Sequence, residues 1–143
     1  TLEDALKLIQ SDKDIICGAY PMKGIPLRYN YNISSPPIAE NNLVQIENIG
    51  FGFCCIKRKV FQGIQNHYGE ELKYYPALNN SSYPPTEIEY HNSYHYFLEM
   101  KKDMNFLPED FSFFERATTV GYKSWLDTTI RLCHVGSHVY QEE

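Results

Sequence analysis

The 143 residues of the chain have room for one ordinary domain, large enough to bury a core. Apolar residues make up 43% and charged residues 22%, and the net charge of −5 is spread without a basic stripe, so nucleic acid is not expected as a partner. No run approaches the roughly 18 apolar residues of a membrane span, and residues 1–10 form an acidic amphipathic pattern unlike a signal peptide. These properties predict a cytoplasmic protein, or a soluble domain of a longer polypeptide.

The first part of the chain alternates helix and strand. Apolar residues recur at helical spacing over residues 2–9, and Ser11 and Asp12 end this helix before a β-branched run at residues 14–20. Residues 21–42 are rich in Pro, Asn, Ser and Tyr, which predicts a long ordered loop or an irregular hairpin. A helix followed by a buried strand, without any linker-like composition, indicates a single α/β domain.

The middle of the chain predicts two strands and a second helix. Residues 43–49 alternate like a strand, and residues 50–56 continue as a second apolar strand. Two glycines of that strand, Gly50 and Gly52, allow another group to approach the backbone closely. A helix over residues 60–67 follows, and a glycine two residues later ends it.

The last part begins with a loop and ends in regular structure. Residues 74–96 are rich in Pro and Tyr and predict a loop that either faces a ligand or is simply packed. Pro108 fits the start of a helix that Gly121 ends. Two strands, 122–126 and 129–135, are then expected, joined by a tight turn.

The four cysteines lie in apolar strand-like runs that lack the spacing of a metal site; they are Cys17, Cys54, Cys55 and Cys133. We interpret them as reduced core residues rather than as metal ligands or a disulfide framework. A cysteine nucleophile or a serine hydrolase is not indicated, because the cysteines look buried and no G-x-S-x-G sequence occurs.

Three short motifs follow one another in the second part of the sequence. They are a glycine-containing strand with a basic run (GFGFCCIKRKVF, 50–61), an acidic helix start leading to a tryptophan (EDFSFFERATTVGYKSWLD, 109–127), and a histidine at a strand end (CHVG, 133–136). As an ordered set they resemble the second half of the GT-A glycosyltransferase domain, in the family-2-like group of nucleotide-sugar-dependent enzymes. The resemblance runs from about Asp14 to Tyr140 and implies an α/β fold of the GT-A type, a Rossmann-like mixed sheet flanked by helices.

The resemblance does not extend to the metal motif of that family. In the family an Asp-x-Asp sequence precedes a helix like that of residues 2–9, whereas this sequence begins at Thr1. The Asp12-Lys13-Asp14 sequence follows the helix instead, and we interpret it as a turn. The resemblance therefore implies that residues 1–143 are a single but partial domain, incomplete at the N-terminus. Such a chain would be a fragment of a longer polypeptide or a protein that has lost donor binding.

By resemblance, the acidic helix start and the histidine carry the chemistry. Asp110 would be the base that deprotonates the acceptor hydroxyl, Glu109 would contact the acceptor, and His134 would join the Asp-x-Asp motif in holding Mn²⁺ or Mg²⁺. Contacts to donor or acceptor would come from four further residues, namely Gly50, Gly52, Arg58 and Trp125. The implied reaction moves a sugar from a nucleotide-diphosphate sugar to a hydroxyl of a glycan or other acceptor. Inversion is favoured because a carboxylate base is its main need, and retention stays open.

Each of these residues also has a structural interpretation. An acidic pair at a helix start complements the helix dipole, and a lone histidine at a strand end is often structural. Trp125 suits a core position, and Arg58 suits a solvated one. The rival function is a non-catalytic carbohydrate- or protein-binding domain derived from the same fold.

Two histidine pairs have the i, i+4 spacing that would suit zinc on a helix, His91 with His95 and His134 with His138. Neither stretch has a helical pattern, and no glutamate follows the first histidine as in a metalloprotease motif. A dedicated zinc site is therefore not expected.

Overall fold

The computed structural model describes residues 1–74, 93–135 and 139–141, which form three helices and ten strands. The helices are α1 (Leu2–Gln10), α2 (Arg58–Leu72) and α3 (Glu109–Thr119). The strands are β1 (Ile15–Ala19), β2 (Tyr31–Ile33), β3 (Ala39–Glu40), β4 (Leu43–Ile49), β5 (Cys54–Ile56), β6 (Met100–Lys102), β7 (Asn105–Leu107), β8 (Ser124–Arg131), β9 (His134–Val135) and β10 (Val139–Tyr140). None of the helices in this described part is long and apolar enough to cross a bilayer.

The central sheet is mixed, as the resemblance implied, and the chain is α/β, as the alternation of helix and strand predicted. Its strand order is β2-β4-β8-β1-β5, and β3 also pairs with β4. Only β1 and β8 are parallel among the described pairs; β4 runs antiparallel to β8, and β5 runs antiparallel to β1. The predicted irregular hairpin of residues 21–42 supplies β2 and β3, both of which pair with β4 rather than with each other.

Helices cover both faces of the sheet and bury two apolar clusters. On the side of α2 and α3, the larger cluster includes Ile15, Ile46, Phe113 and Phe114. On the side of α1, the smaller cluster holds Leu8, Ile16, Trp125 and Ile130. Neighbouring strand residues such as Ile15 and Ile16 alternate between the clusters because successive side chains of a strand point to opposite faces.

α1 is capped at its start and buries only part of its apolar surface. Thr1 and Asp4 form a capping box at the start of α1, and its Leu8 is buried. Three apolar residues that define the helical period face outward instead, with exposed fractions of 79% for Leu2, 44% for Leu6 and 65% for Ile9. These three side chains form an exposed apolar stripe on α1.

The predicted bounds of α3 are confirmed, and those of α2 need correction. Pro108 precedes α3, and Gly121 follows it with a φ of +90°, a conformation that glycine adopts without strain. Gly69 does not end α2. Its backbone leaves helical geometry (φ 14°, ψ −99°) and kinks the helix, which resumes and runs to Leu72.

The two strands predicted between residues 122 and 135 are largely one strand, β8, so the predicted tight turn is wrong. Asp127 is buried, and its Oδ1 accepts hydrogen bonds from the N–H (2.8 Å) and the Oγ1 (2.7 Å) of Thr129. This local bonding produces an irregularity in the pairing with β1, where Gly18 lies opposite Asp127 but Ala19 lies opposite Arg131. The turn-forming residues therefore make a bulge instead of a chain reversal.

Two further predictions are corrected. Residues 50–53 lie outside any strand, so β5 comprises only residues 54–56. All four cysteines are free thiols, but Cys133 is exposed rather than in the core. The predicted loop of residues 74–96 lies mostly outside the described residues, as do His91 and His138.

Candidate functional site

The carboxyl ends of the parallel strands β1 and β8 lie at the same edge of the sheet. Tyr20 and Pro21 directly follow β1, and His134 follows β8 by three residues. In open α/β sheets ligands bind outside the carboxyl ends of the parallel strands. The residues around this edge are therefore the natural place to look for a site.

The Asp110 carboxylate is bonded to the glycine-containing loop of residues 50–52 and does not cap its own helix, α3. Its Oδ2 accepts a hydrogen bond of 3.1 Å from the N–H of Phe51, and no side-chain cap is formed at Pro108. The Phe51 ring stacks on Phe114 with ring centroids 5.0 Å apart and meets the edge of Phe113 at 5.2 Å. The loop of residues 50–52 is thus held between the start of α3 and the core.

Tyr20 explains why glycines occupy the two flanking positions of this loop. A Cβ added at Gly52 would lie 1.9 Å from Cε1 of Tyr20, and one added at Gly50 would lie 2.8 Å from its hydroxyl oxygen. Both distances are too short for any side chain. The close approach that the sequence predicted at Gly50 and Gly52 is therefore made by the ring of Tyr20.

His134 lies on another side of the same tyrosine. Its ring meets that of Tyr20 edge-on, with centroids 5.5 Å apart and an interplanar angle of 86°. Its Nδ1 is 3.0 Å from the carbonyl oxygen of Pro21, and because a carbonyl only accepts, this bond requires the proton on Nδ1. In the neutral imidazole Nε2 then keeps its lone pair, which is the arrangement of a metal-ligating or proton-accepting histidine.

The electrostatics of Tyr20 also connect it to Asp110. Burial raises the pKa of the Tyr20 phenol, and the negative charge of Asp110 and the thiol of Cys54 raise it further. Gly50, Gly52 and His134 therefore adjoin Tyr20, and the charge of Asp110 acts on its phenol. We call these five residues the Tyr20 cluster. Tyr20 itself was not singled out from the sequence, where its only signal is its position directly after a buried strand.

Arg58 and Trp125 are not brought to the Tyr20 cluster. Arg58 is exposed at the start of α2, which follows β5 at the amino end of β1, the opposite edge of the sheet. Trp125 is only 8% exposed and packs in the core, and the ammonium of Lys13 lies 4.3 Å from its ring centroid. The structural interpretation therefore accounts for both residues. Glu109 is exposed in the first turn of α3, beside Asp110.

Lys57 and Lys59, at the start of α2, are paired with acidic residues. The ammonium of Lys57 bonds to a carboxylate oxygen of Asp12 at 2.5 Å, and that of Lys59 lies 2.7 Å from a carboxylate oxygen of Asp14. Asp12 has a φ of +56°, which fits the turn predicted for the Asp12-Lys13-Asp14 sequence. The hydrogen bond and charge of Asp12 raise the pKa of Lys57, so Lys57 is positively charged but paired.

A complete metal site is not formed by the described residues. Within residues 1–74, 93–135 and 139–141, no three His, Cys, Asp or Glu side chains form a group that could hold an ion. His134 fits a role as one ligand, since its Nε2 is available, and any others would have to come from elsewhere. His95 meets the ring of Tyr74 at 4.1 Å instead.

A large cavity lies apart from the Tyr20 cluster. It has a volume of about 620 Å³ and is bounded by β4, the β6–β7 hairpin, the exposed side of α3 and the residues leading into β8. Two buried polar atoms that have no hydrogen-bond partner among the described residues, Oε1 of Gln45 and Oγ of Ser124, belong to residues that line it. Since β8 starts at Ser124, this cavity is at the amino end of that strand, whereas the Tyr20 cluster is at the carboxyl end.

The contact between Tyr20 and Gly52 can be tested by mutation. We expect Gly52→Ala to lower the free energy of unfolding by about 1–3 kcal/mol, because the new methyl group would force the Tyr20 ring aside. In a Tyr20→Ala background the loss should largely disappear. Urea unfolding of the two single variants and the double variant gives the coupling energy directly.

Gly24→Ala is the matched control, since nothing lies within 4 Å of a Cβ at that position. It should leave stability nearly unchanged. An equal loss for Gly52→Ala with and without the Tyr20 ring would contradict the proposed contact.

The fold and the Tyr20 cluster define a mixed α/β protein with a candidate site at the carboxyl edge of its parallel strand pair. The chain matches no protein-family model, no curated protein and no solved structure in the comparisons made. Its function must therefore be argued from its own residues.

Proposed function

We propose that this chain is the acceptor-side part of a GT-A type glycosyltransferase of the family-2-like group. It would move a sugar from a nucleotide-diphosphate sugar to a hydroxyl of a glycan or other acceptor. One observation carries the proposal. Three separate sequence motifs supply Asp110, the two glycines and His134. The glycines and His134 adjoin Tyr20, and Asp110 bonds to the loop between the glycines and acts on Tyr20 through its charge.

Asp110 is the proposed general base. The Phe51 N–H donates a hydrogen bond to its Oδ2 and fixes the orientation of the carboxylate, while Oδ1 is the oxygen proposed to receive the proton. In an inverting displacement the acceptor oxygen attacks the anomeric carbon, the bond from that carbon to the diphosphate oxygen breaks, and the acceptor proton passes to Asp110. Glu109, exposed beside it, is available for a hydrogen bond to the acceptor.

His134 is the proposed metal ligand of this chain. A bound Mn²⁺ or Mg²⁺ would neutralise charge on the departing diphosphate. The bond between Nδ1 and Pro21 holds the imidazole so that Nε2 can bind the ion, and the edge of Tyr20 limits rotation of the ring. The remaining ligands would be carboxylates that the resemblance assigns to a preceding segment.

The proposal is tested on the native polypeptide that contains this sequence. We expect release of UDP or GDP from a sugar nucleotide that depends on both Mn²⁺ and an acceptor and stops with EDTA. His134→Ala should raise the Mn²⁺ concentration needed for half-maximal release. His67→Ala, which removes an exposed histidine of α2, should not.

Calorimetric titration with UDP and with GDP, each with and without Mn²⁺, separates the two candidate functions. Metal-dependent heat with one nucleotide supports the transferase. Binding of a saccharide without any nucleotide binding or turnover would instead support the non-catalytic binding domain.

A further inference from the structure

Two cysteines face each other across the antiparallel pair of β1 and β5. Cys17 lies directly opposite Cys54 in the register. The flanking hydrogen bonds, from the N–H of Gly18 to the oxygen of Phe53 and from the N–H of Lys57 to the oxygen of Asp14, are each 2.9 Å long. Bonded and non-bonded positions alternate along an antiparallel pair, so Cys17 and Cys54 occupy a non-hydrogen-bonded position.

This position brings the two sulfur atoms within reach of each other. Opposite residues in a non-hydrogen-bonded pair have Cα atoms about 4.5 Å apart, which lies within the range that disulfides span. Both side chains point to the same face and pack with the larger apolar cluster. A hydrogen bond with Cys54 and burial raise the pKa of the Cys17 thiol well above its usual range, as expected for thiols in contact.

The other two cysteines are not placed to compete. Cys55 points to the opposite face of β5, where it packs with the smaller apolar cluster. Cys133 is exposed beyond the end of β8. Cys54 is partly exposed on β5, the last strand in the described order, so an oxidant can reach it, whereas Cys17 is fully buried.

We propose that Cys17 and Cys54 form a reversible redox modification site that closes to an intramolecular disulfide when the protein meets a low-molecular-weight disulfide such as oxidised glutathione. The Cys54 thiolate attacks one sulfur of the oxidant and releases one glutathione thiolate. The Cys17 thiol then attacks the Cys54 sulfur of the mixed disulfide, and its proton passes to the departing sulfur, which leaves as the second glutathione thiol. Two protein thiols are oxidised, and one oxidised glutathione is reduced to two glutathione molecules.

The disulfide would lie beside the Tyr20 cluster. Cys54 follows the glycine loop by two residues, and Tyr20 follows Cys17 by three. Oxidation removes the Cys54 thiol that raises the pKa of Tyr20 and ties the carboxyl end of β1 to the start of β5. Formation of this disulfide does not depend on sugar transfer, since the register and burial of the two strands alone bring the thiols together.

The test uses the folded chain equilibrated with mixtures of reduced and oxidised glutathione, quenched in acid, alkylated and digested with trypsin. Cys17 falls in the peptide of residues 14–23, and Cys54 falls in the peptide of residues 29–57. We expect mass spectrometry to show these two peptides joined, with fragment ions that assign the bond to Cys54 rather than Cys55. Reduced glutathione should reverse the link.

Cys55→Ser is the matched variant, because it leaves Cys54 as the only cysteine of its peptide. It should form the link as readily as the natural sequence, whereas Cys54→Ser should lose it. Glutathione adducts on Cys54 or Cys133 without any linked peptide would overturn the proposal, as would a link through Cys55. Since the decisive measurement is made on the natural sequence, it does not depend on whether a variant folds.

Discussion

Asp110→Asn is expected to lower kcat/KM for sugar transfer by about 10²–10⁴-fold, the usual contribution of a positioned general base. The asparagine Oδ1 can still accept the hydrogen bond of the Phe51 N–H, so the loop should keep its position, but the amide cannot take a proton. Steady-state release of the nucleotide diphosphate in the native polypeptide measures the effect. Glu109→Gln, one residue away, should cost much less. Unchanged transfer by the Asn variant would refute Asp110 as the base.

A second measurement on the same variant tests the site independently of activity. Removing the charge of Asp110 should lower the pKa of Tyr20, which that charge helps to raise, and NMR of tyrosines labelled at Cζ would record it. The folded-state pKa of Tyr20 lies above the unfolded value of about 10. Its contribution to stability is therefore present below pH 10 and is lost as the pH rises through the folded-state pKa. The Asn variant should lose less stability over that alkaline range.

Phe113→Ala is expected to lower the free energy of unfolding by about 3–5 kcal/mol, the largest stability loss that we anticipate. Phe113 is fully buried, and its ring meets those of Phe51, Phe61 and Phe97 at centroid distances of 5.2, 5.4 and 4.9 Å. Truncation leaves a cavity between α2, α3 and the glycine loop. Chemical denaturation measures the loss.

Phe106→Ala provides the control for Phe113, since that ring is 66% exposed on β7. It should change stability by no more than about 0.5 kcal/mol. Similar losses for the two variants would show that Phe113 is not the centre of the core. A Phe113→Ala protein that still folds should also show greater motion of the Phe51 ring. Phe97 and Phe114, two further rings packed against Phe51, are both neighbours of Phe113.

Elements whose signals are local could be predicted from the sequence. The apolar period over residues 2–9 identifies α1, and the proline and glycine at the two ends of α3 identify that helix. The β-branched run of β1 and the alternation of β4 likewise identify those strands. Such signals involve only neighbouring residues, so they predict the same helix or strand wherever the segment lies in the fold.

The turn predicted at Asp127 shows where local signals fail. Asp and Thr residues favour turns because they bond to nearby backbone, and Asp127 does bond to Thr129. Pairing with β1 on one side and β4 on the other keeps the chain in one strand, and the local bond survives as a bulge. Tertiary packing also overrides the stop signal at Gly69. α2 kinks there instead of ending, because Leu72 beyond the kink is buried in the core.

The sequence by itself determined the class of fold, most of the helix and strand positions, and the suggestion that Asp110, the glycines and His134 work together. Only the tertiary structure decided that Tyr20 lies among them, that Arg58 and Trp125 lie elsewhere, and that Cys17 faces Cys54. The reason is physical. The order and register around the site are set by pairing between segments far apart in the chain, such as Cys17 with Cys54 and Gly18 with Asp127. No local spacing encodes which side chain will pack against Gly52 or which cysteines will meet.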